Sequence, residues 1–412
     1  MGEKTRAEPN SGASRSKLIT EMFFSPLVFI GERAIVGYKI LFLNWQDIRH
    51  PLGGGAEVYN HEILKRVAAQ NHSVTLVCCT HPSLPSTETI DGIRTVRYGN
   101  RSLFNYTAPI ICRRFMQSEP FDIVIDAINK IPLLTPLYVR KIPVLGLVHH
   151  IFRKSIFNEA SLPAALYVYG FEQLIKPVYH RVPFIVISES TKQDLISIGI
   201  SAHRIGIVEC SVNTSVYRIS IESKSQHPLV GYLGRIKRYK SVDHLIKAFS
   251  LVKQTIPDAQ LIIVGDGDNL TELKNLAVCL GLADSVVFTG FVDEQTKVSI
   301  LQKCHIVVNP SIKEGWGLTV IEANACGTPT VSADVPGLRD SVINEKTGLL
   351  YPYGDIETCA RYIVRFLQDE PFRKQIAAQA LIWAHQFSWD KAADKMLKCI
   401  EKTIAEYKQT VS

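Results

Sequence analysis

At 412 residues, 46% of them apolar, the chain is long enough for two domains of ordinary size and can build a core in each, the profile of a soluble globular enzyme. Its net charge of +7 lies in the first half: residues 1–220 hold 24 Lys+Arg against 17 Asp+Glu, and residues 221–412 hold 22 against 22. A basic half suits an anionic membrane surface or a phosphorylated acceptor as well as ordinary surface variation. Nucleic acid is disfavoured, because no RRM, helix-turn-helix or finger pattern is present.

Residues 1–38 read as a disordered lead-in, or as residues upstream of the native start. Their apolar run Met22–Ile30 is interrupted by Pro26 and far short of the ~20 residues a spanning helix needs, which leaves it a candidate peripheral anchor. Lys39-Ile-Leu-Phe-Leu then reads as a buried parallel strand, followed by the loop Pro51-Leu-Gly-Gly-Gly-Ala-Glu57 and an amphipathic helix with Val58, Ile63, Leu64, Val67 and Ala68 on its apolar face. The loop has neither Gly-x-Gly-x-x-Gly nor Gly-Lys-Ser/Thr, so it meets no dinucleotide or P-loop fingerprint. Further strands are expected at Ser73–Cys78, Phe121–Ile125, Val144–Val148 and Phe184–Ile187, alternating with helices in a parallel α/β sheet. Ligands gather outside the carboxyl ends of such strands, where Asn44, Asp126, Asn129, His149, His150 and Ser188-Glu189 are expected to outline a cleft edge. Side-chain alternation allows only one of His149 and His150 to face it. Helices between Ile151 and Val182 mix Arg153, Lys154, Lys176 and Arg181 with Phe, Leu and Tyr, as a membrane-facing surface or a half-buried helix pair does.

A Ser-rich, charged linker near Ser220–His227 leads to a second set that begins with Leu229-Val-Gly-Tyr-Leu-Gly-Arg235 and continues with strands at Leu261–Val264, closed by the glycine turn to Gly267, at Ser285–Gly290 and at His305–Val308. Between the first two lies Gly234-Arg235-Ile-Lys-Arg-Tyr-Lys240, then a helix Val242–Gln254. After Pro310 the chain reads Glu314-Gly-Trp-Gly-Leu-Thr-Val-Ile-Glu322, a glycine loop opening a helix that Gly327 ends before the strand Thr330-Val-Ser. A helix that begins at a glycine loop points unpaired N–H groups and a positive dipole end outward, which suits the phosphates of a nucleotide. Near the end, Ser388 is the expected N-cap of a helix running to about Tyr407. The nine cysteines show no Cys-x-x-Cys and no zinc spacing; they read as reduced core residues of a cytosolic protein, with no structural metal implied.

The stretch from Glu314 to Thr330 resembles the hallmark of the retaining glycosyltransferases of family 4, Glu-Gly-Phe-Gly-Leu followed by Glu-Ala-Met-Ala-x-Gly-x-Pro-Val, with Trp316, Asn324 and Thr330 as departures. Gly54-Gly55-Ala56-Glu57 is similar to the family's first-domain loop, and Gly234-Arg235 with Lys240 to its Gly-Arg-x-x-x-x-Lys, Ser241 replacing the usual following Gly. The resemblance spans Lys39 to about Tyr407. It implies a GT-B fold, two Rossmann-like parallel-sheet domains facing across a cleft: an acceptor domain over 39–218, a nucleotide-sugar domain over 226–387, and a terminal segment 388–412 that packs back on the first.

The resemblance also assigns roles. Arg235 and Lys240 would hold the pyrophosphate. The backbone of Gly317, Leu318 and Thr319, with Glu314, would meet sugar and phosphate, Glu322 the ribose hydroxyls, and His149 the sugar near its reacting carbon. Gly54, Gly55 and Gly234 would let backbone approach the donor. No metal or other cofactor is expected. The implied reaction is transfer of a sugar from a UDP- or GDP-linked donor to a lipid-linked or glycan acceptor, with retention, by a cytoplasmic and peripherally membrane-bound enzyme. A sugar-nucleotide epimerase or hydrolase of the same fold, or a silent sugar-nucleotide-binding subunit, are the alternatives; the intact Arg235, Lys240 and Glu314 argue against the last.

Overall fold

The computed structural model describes residues 37–129, 131–220 and 224–411, so the expected lead-in lies outside the described residues but for Gly37 and Tyr38. Short runs rich in Val, Ile and Leu, each bounded by turn residues, form the strands of two sheets. The first sheet contains β1 (Lys39–Leu43), β2 (Ser73–Cys78), β3 (Thr87–Ile90), β4 (Ile93–Arg97), β5 (Ile123–Ile128), β6 (Val144–Val148), β7 (Phe184–Val186) and β8 (Ile205–Ile207). Their order is β3-β4-β2-β1-β5-β6-β7-β8. Helices α1 (Gly55–Ala69), α2 (Phe104–Ser118), α3 (Leu162–Glu172), α4 (Ile175–Tyr179) and α5 (Glu189–Ser197) accompany it.

The expected parallel sheet is broken at one edge. β3 pairs antiparallel with β4 through a turn in which Asp91 and Gly92 have φ of 46° and 81°. Two positive φ values at a two-residue Asp-Gly turn are those of type I′, whose twist matches that of the flanking strands.

The second sheet contains β9 (Leu229–Leu233), β10 (Gln260–Val264), β11 (Val286–Gly290), β12 (Ile306–Asn309), β13 (Thr330–Ala333) and β14 (Gly348–Tyr351), in the order β11-β10-β9-β12-β13-β14 and parallel throughout. With it run α6 (Val242–Thr255), α7 (Leu270–Cys279), α8 (Glu294–Lys303), α9 (Leu318–Ala325), α10 (Leu338–Ser341), α11 (Ile356–Gln368) and α12 (Glu370–Ala384). The last helix, α13 (Trp389–Val411), starts after Ser388, whose Oγ accepts the Lys391 N–H at 3.3 Å. It returns to the first half, where Asp390 pairs with Arg66 of α1 at 2.5 Å and the Tyr407 hydroxyl donates to the Arg140 carbonyl. The segment expected as a linker is not loose at its end: Lys224 Nζ donates to Thr328 Oγ1 at 2.6 Å and Ser225 N–H to the Lys303 carbonyl.

These strand orders fix where ligands can bind. In an open parallel sheet the crevice lies where the order reverses, outside the carboxyl ends of the two strands on either side. In the first sheet that point is between β1 and β5, in the second between β9 and β12. The loops after β9 and β12 carry Gly234–Lys240 and Pro310–Gly317.

All nine cysteines are unpaired thiols, seven of them buried, and burial pushes Cys112, Cys304, Cys326 and Cys359 up to about 12. Among the described residues no group of three or more His, Cys, Asp or Glu side chains is placed to hold a metal ion, and no helix is long and apolar enough to cross a membrane.

Candidate active site

The loop after β9 turns in a short 3₁₀ segment over Arg238–Lys240, and the loop after β12 lies against it, Ile312 N–H donating to the Tyr239 carbonyl at 3.0 Å. This contact brings Lys240 Nζ to 2.5 Å from Glu314 Oε1, with the two side chains only 15% and 14% exposed. Ser311 Oγ donates to the same carboxylate oxygen at 2.7 Å. Burial by itself disfavours the Lys240 ammonium, but the Glu314 carboxylate outweighs it and holds the Lys240 pKa above its ordinary value. The basic run therefore sorts by partner. Lys237 and Arg238 pair at the surface with Asp268 and Glu272, Lys240 pairs inward, and Arg235 is exposed and carries no ion pair among the described residues.

Ser241, where the family pattern has Gly, sits in the left-handed region at φ 50°. That conformation costs a side-chain-bearing residue about 1–2 kcal/mol. The hydroxyl gives a return on it, bonding Tyr353 Oη at 2.9 Å from a buried position.

Gly317 is the N-cap of α9 at φ 93°, a conformation natural to Gly and strained for other residues. The helix therefore starts with the N–H groups of its first turn, Leu318 and Thr319 among them, lacking intrahelical partners. Glu322 sits in its second turn, buried, and pairs with Lys297 of α8 at 2.6 Å. Lys297 Nζ also lies 5.3 Å from the Tyr217 ring centroid, and the Tyr217 hydroxyl donates to Glu294 at 3.2 Å. Trp316 is buried edge-on to Phe387 at 5.2 Å, a packing role that its size serves. Asn324, in place of Met, is fully buried, and neither of its amide atoms has a hydrogen-bond partner among the described residues.

From the first sheet, Gly54 caps α1: its N–H donates to Glu57 Oε2 at 2.7 Å. A Cβ at Gly54 would stand 3.3 Å from Arg235 Cζ, so the glycine lets the guanidinium of the second half lie against the first-half loop. Gly55, the first residue of α1, faces open space. Beneath the loop a buried ion pair, Asp47 with Arg97 at 2.7 Å, ties the chain after β1 to β4, and Glu88 of β3 adds a second carboxylate to Arg97 at 2.6 Å.

His149 follows β6, 4% exposed and edge-on to Tyr59 at 5.2 Å, with no hydrogen-bond partner on either ring nitrogen among the described residues. Burial lowers its pKa to about 3, so the ring is neutral. A Cβ at Gly315 would come within 2.8 Å of the His149 carbonyl, so the Glu314-Gly-Trp-Gly loop is pressed directly on the strand end that carries the histidine. Lys313 Nζ donates to the Ile151 carbonyl and approaches Asp194 at 3.6 Å, and Asp340 accepts from Ser190 N–H at 3.3 Å. His150 is half-buried and stacks edge-on with Phe152 at 4.4 Å.

Not every expected residue reaches this place. Asp126 lies inside β5 rather than at its end, fully buried, accepting from Tyr179 Oη at 2.5 Å and Thr135 Oγ1 at 2.9 Å, and burial raises its pKa to about 6. It organises the core and is not a cleft-edge group. Asn44 and Asn129 do meet across the β1/β5 crevice, Asn129 Nδ2 donating to Asn44 Oδ1 at 2.7 Å. Ser188 accepts from Thr191 N–H as the N-cap of α5. The residues that sequence reasoning missed, Lys297, Lys313, Tyr353 and Glu172, sit in no motif; Glu172 accepts the N–H groups of Phe152 and Arg153, at 2.7 Å each, and so fixes the turn after His149.

Two family models match in tandem, Glycosyltransferase Family 4 over residues 53–216 and Glycosyl transferases group 1 over residues 214–383. Over 193 residues the chain is 34% identical to D-inositol 3-phosphate glycosyltransferase of Jonesia denitrificans, a match covering 45% of this chain and 46% of that protein. The chain thus spans about half the length of the curated relatives it matches. Sucrose-phosphate synthase from Thermosynechococcus elongatus superposes with a TM-score of 0.77 at 23% identity, covering 90% of this chain and all of that one. Anabaena HepE in complex with UDP-glucose superposes at 0.70 with 21% identity, again over 90% of this chain and 100% of the other. At these identities the structural likeness is one of fold.

Proposed function

The chain belongs to glycosyltransferase family 4 and has the two-sheet GT-B fold, and from that premise we propose that it moves a sugar from a UDP- or GDP-linked donor to a lipid-linked or glycan acceptor, with retention, in cell-envelope polysaccharide or glycolipid synthesis. The observation that carries the reading is the convergence of Arg235, without an ion pair among the described residues, the Lys240–Glu314 pair and the N-terminus of α9 at the β9/β12 crevice, with Gly54 against the guanidinium. The departing group of such a donor is a nucleoside diphosphate. Arg235, Lys240 and the amides of Gly317, Leu318 and Thr319 meet its growing charge, and fixed donors of this kind are worth about 10²–10³ in rate each.

Glu322 accepts the ribose hydroxyls, and Glu314 orients Lys240 while facing the sugar. Neutral His149 offers one ring N–H and one lone pair to the sugar. The acceptor oxygen attacks the anomeric carbon on the face the phosphate is leaving, the carbon–oxygen bond to phosphate breaks, and the acceptor proton passes to the departing phosphate oxygen. Fixed cations neutralise the leaving group, so no metal is expected. The burial of Asp126 supports this route, because it holds that carboxylate in the core, out of reach of an acceptor that inversion would need to deprotonate.

UDP-glucose in the HepE structure favours a uridine donor. The D-inositol 3-phosphate glycosyltransferases among the relatives, with the cationic excess of residues 1–220, favour a phosphorylated polyol as a second acceptor reading. The enzyme would act at the cytoplasmic face of a membrane. A thermal-shift screen of UDP-, GDP- and ADP-sugars tests the donor site, since a ligand at a hundred times its Kd adds about 2.7 kcal/mol. A shift in the wild type that Arg235→Ala abolishes supports the reading; no shift with any nucleotide sugar overturns it.

A further inference from the structure

α3 reads Leu-Pro-Ala-Ala-Leu-Tyr-Val-Tyr-Gly-Phe-Glu, without a charge before its last residue. A helix this apolar is ordinarily buried on all sides. Here only Ala165, Val168 and Glu172 are buried, and Leu162 and Leu166, one turn apart, stand 65% and 55% exposed. The neighbouring α2 has the same character on its outer face, with Leu103 just before it, Tyr106 and Ile110 at helical spacing and 51–61% exposed. Tyr106 meets Phe171 of α3 with ring centroids 6.4 Å apart, and Asn105 donates to Tyr167 Oη at 2.8 Å, so the two outer faces lie side by side. Phe157, just before α3, is also exposed.

Beside this apolar ground stand exposed cations without a carboxylate partner among the described residues. Arg101, Arg113, Arg114 and Lys154 are exposed and form no ion pair among the described residues. Apolar side chains ringed by unpaired Arg and Lys match an anionic bilayer, whose headgroups attract the cations while its acyl boundary takes the Leu and Ile side chains. The patch also adjoins the cleft. Trp45, two residues after β1, packs edge-on to Phe104 of α2 at 5.7 Å and donates to the Ile131 carbonyl, and Ile131 shares one apolar cluster with Phe152, Ala165 and Val168.

We propose that the joined outer faces of α2 and α3 dock the enzyme on an anionic lipid bilayer, so that an acceptor anchored in that bilayer enters the cleft past Trp45. The inference rests on the lipid-linked acceptor of the proposed function and names the surface that serves it. Exposed apolar side chains tolerate replacement, so the variants should fold.

The test is flotation of the full chain with vesicles of phosphatidylcholine alone and of phosphatidylcholine with about a third phosphatidylglycerol. The wild type is expected to float with the anionic vesicles, less so at high salt, and weakly with the neutral ones. Both L162D/L166D and R113E/R114E are expected to lower the bound fraction at least about tenfold. Their melting shift with donor should match that of the wild type. Absence of vesicle binding in the wild type overturns the proposal, as does equal binding by the variants. A wild-type dimer in light scattering that L162D/L166D dissolves overturns it in favour of a second copy of the chain. Vesicle binding without any donor shift leaves this surface standing and removes the donor reading, so the two failures are separable.

Discussion

Arg235 and Lys240 come from one motif, yet the structure separates what their loss should do. Arg235 is exposed and without an ion pair among the described residues, its guanidinium 3.5 Å from Tyr239 Oη, so Arg235→Ala removes charge from the proposed phosphate site at little cost in stability. Its expected signature is a melting temperature within about 1 °C of the wild type and turnover lower by about a hundredfold or more. Lys240→Ala should cost turnover to a similar degree and stability besides, because it leaves the Glu314 carboxylate, 14% exposed, without its cation. Breaking a fully buried pair by removing one partner costs about 3–5 kcal/mol. Residual exposure and the Ser311 hydroxyl relieve part of that, leaving about 1–3 kcal/mol, or a few degrees of melting temperature in a chain of this size. The double variant Lys240→Met with Glu314→Gln has no unpaired charge and should regain most of the lost stability while staying inactive. Melting by calorimetry and nucleoside diphosphate release by a coupled assay read the two quantities separately. An unchanged melting point for Lys240→Ala, or near-normal turnover in a folded Arg235→Ala, refutes the reasoning.

Three further outcomes follow from individual residues. His149 titrates near 3 in the folded state and near 6.5 unfolded, so the unfolded chain binds the extra proton between those values; its contribution is intact above pH 6.5 and lost as pH falls, by about 1.4 kcal/mol per unit. His149→Phe should flatten that acid limb in urea titrations at pH 4 to 7, and an unaltered slope would mean that the ring is protonated in the fold. Asp126→Asn should keep turnover within about threefold, since the carboxyl lies inside β5 away from the cleft; a loss of a hundredfold would place it in the catalytic machinery. Asn324→Met should raise stability by about 1–3 kcal/mol, because it removes two buried amide atoms lacking partners, and a lower melting temperature in calorimetry would contradict that.

The architecture was legible because its signals are local. β1, β2 and β6 lie at the bounds the sequence predicts, since a continuous apolar run between turn residues admits few other readings. The edge hairpin has a local signal too, Asp91-Gly92 between Thr87–Ile90 and Ile93–Arg97, but its two strands are short and polar and lack the continuous apolar run that marks the others. In the candidate site, the glycine loops and their charged neighbours are legible because close backbone approach restricts the residue type. What the sequence could not disclose was pairing over distance. Nothing in the chain says that Lys297 of α8 reaches Glu322, that Lys313 reaches the Ile151 carbonyl, or that Arg235 lies on Gly54 across 181 positions. Asp126 misled for a related reason: its strand runs to Ile128, two residues beyond it, so a carboxyl expected at the crevice is held in the core by Tyr179 and Thr135.

The central claim is sugar transfer with retention, and the anomeric configuration of the product tests it most directly. Incubated with an α-linked nucleotide sugar and an acceptor, the enzyme should give a product whose anomeric proton shows the small coupling of an α-linked gluco-configured sugar in NMR. A large coupling, that of a β-linked product, would contradict retention and with it the roles given to Arg235, Lys240, His149 and the amides at the start of α9.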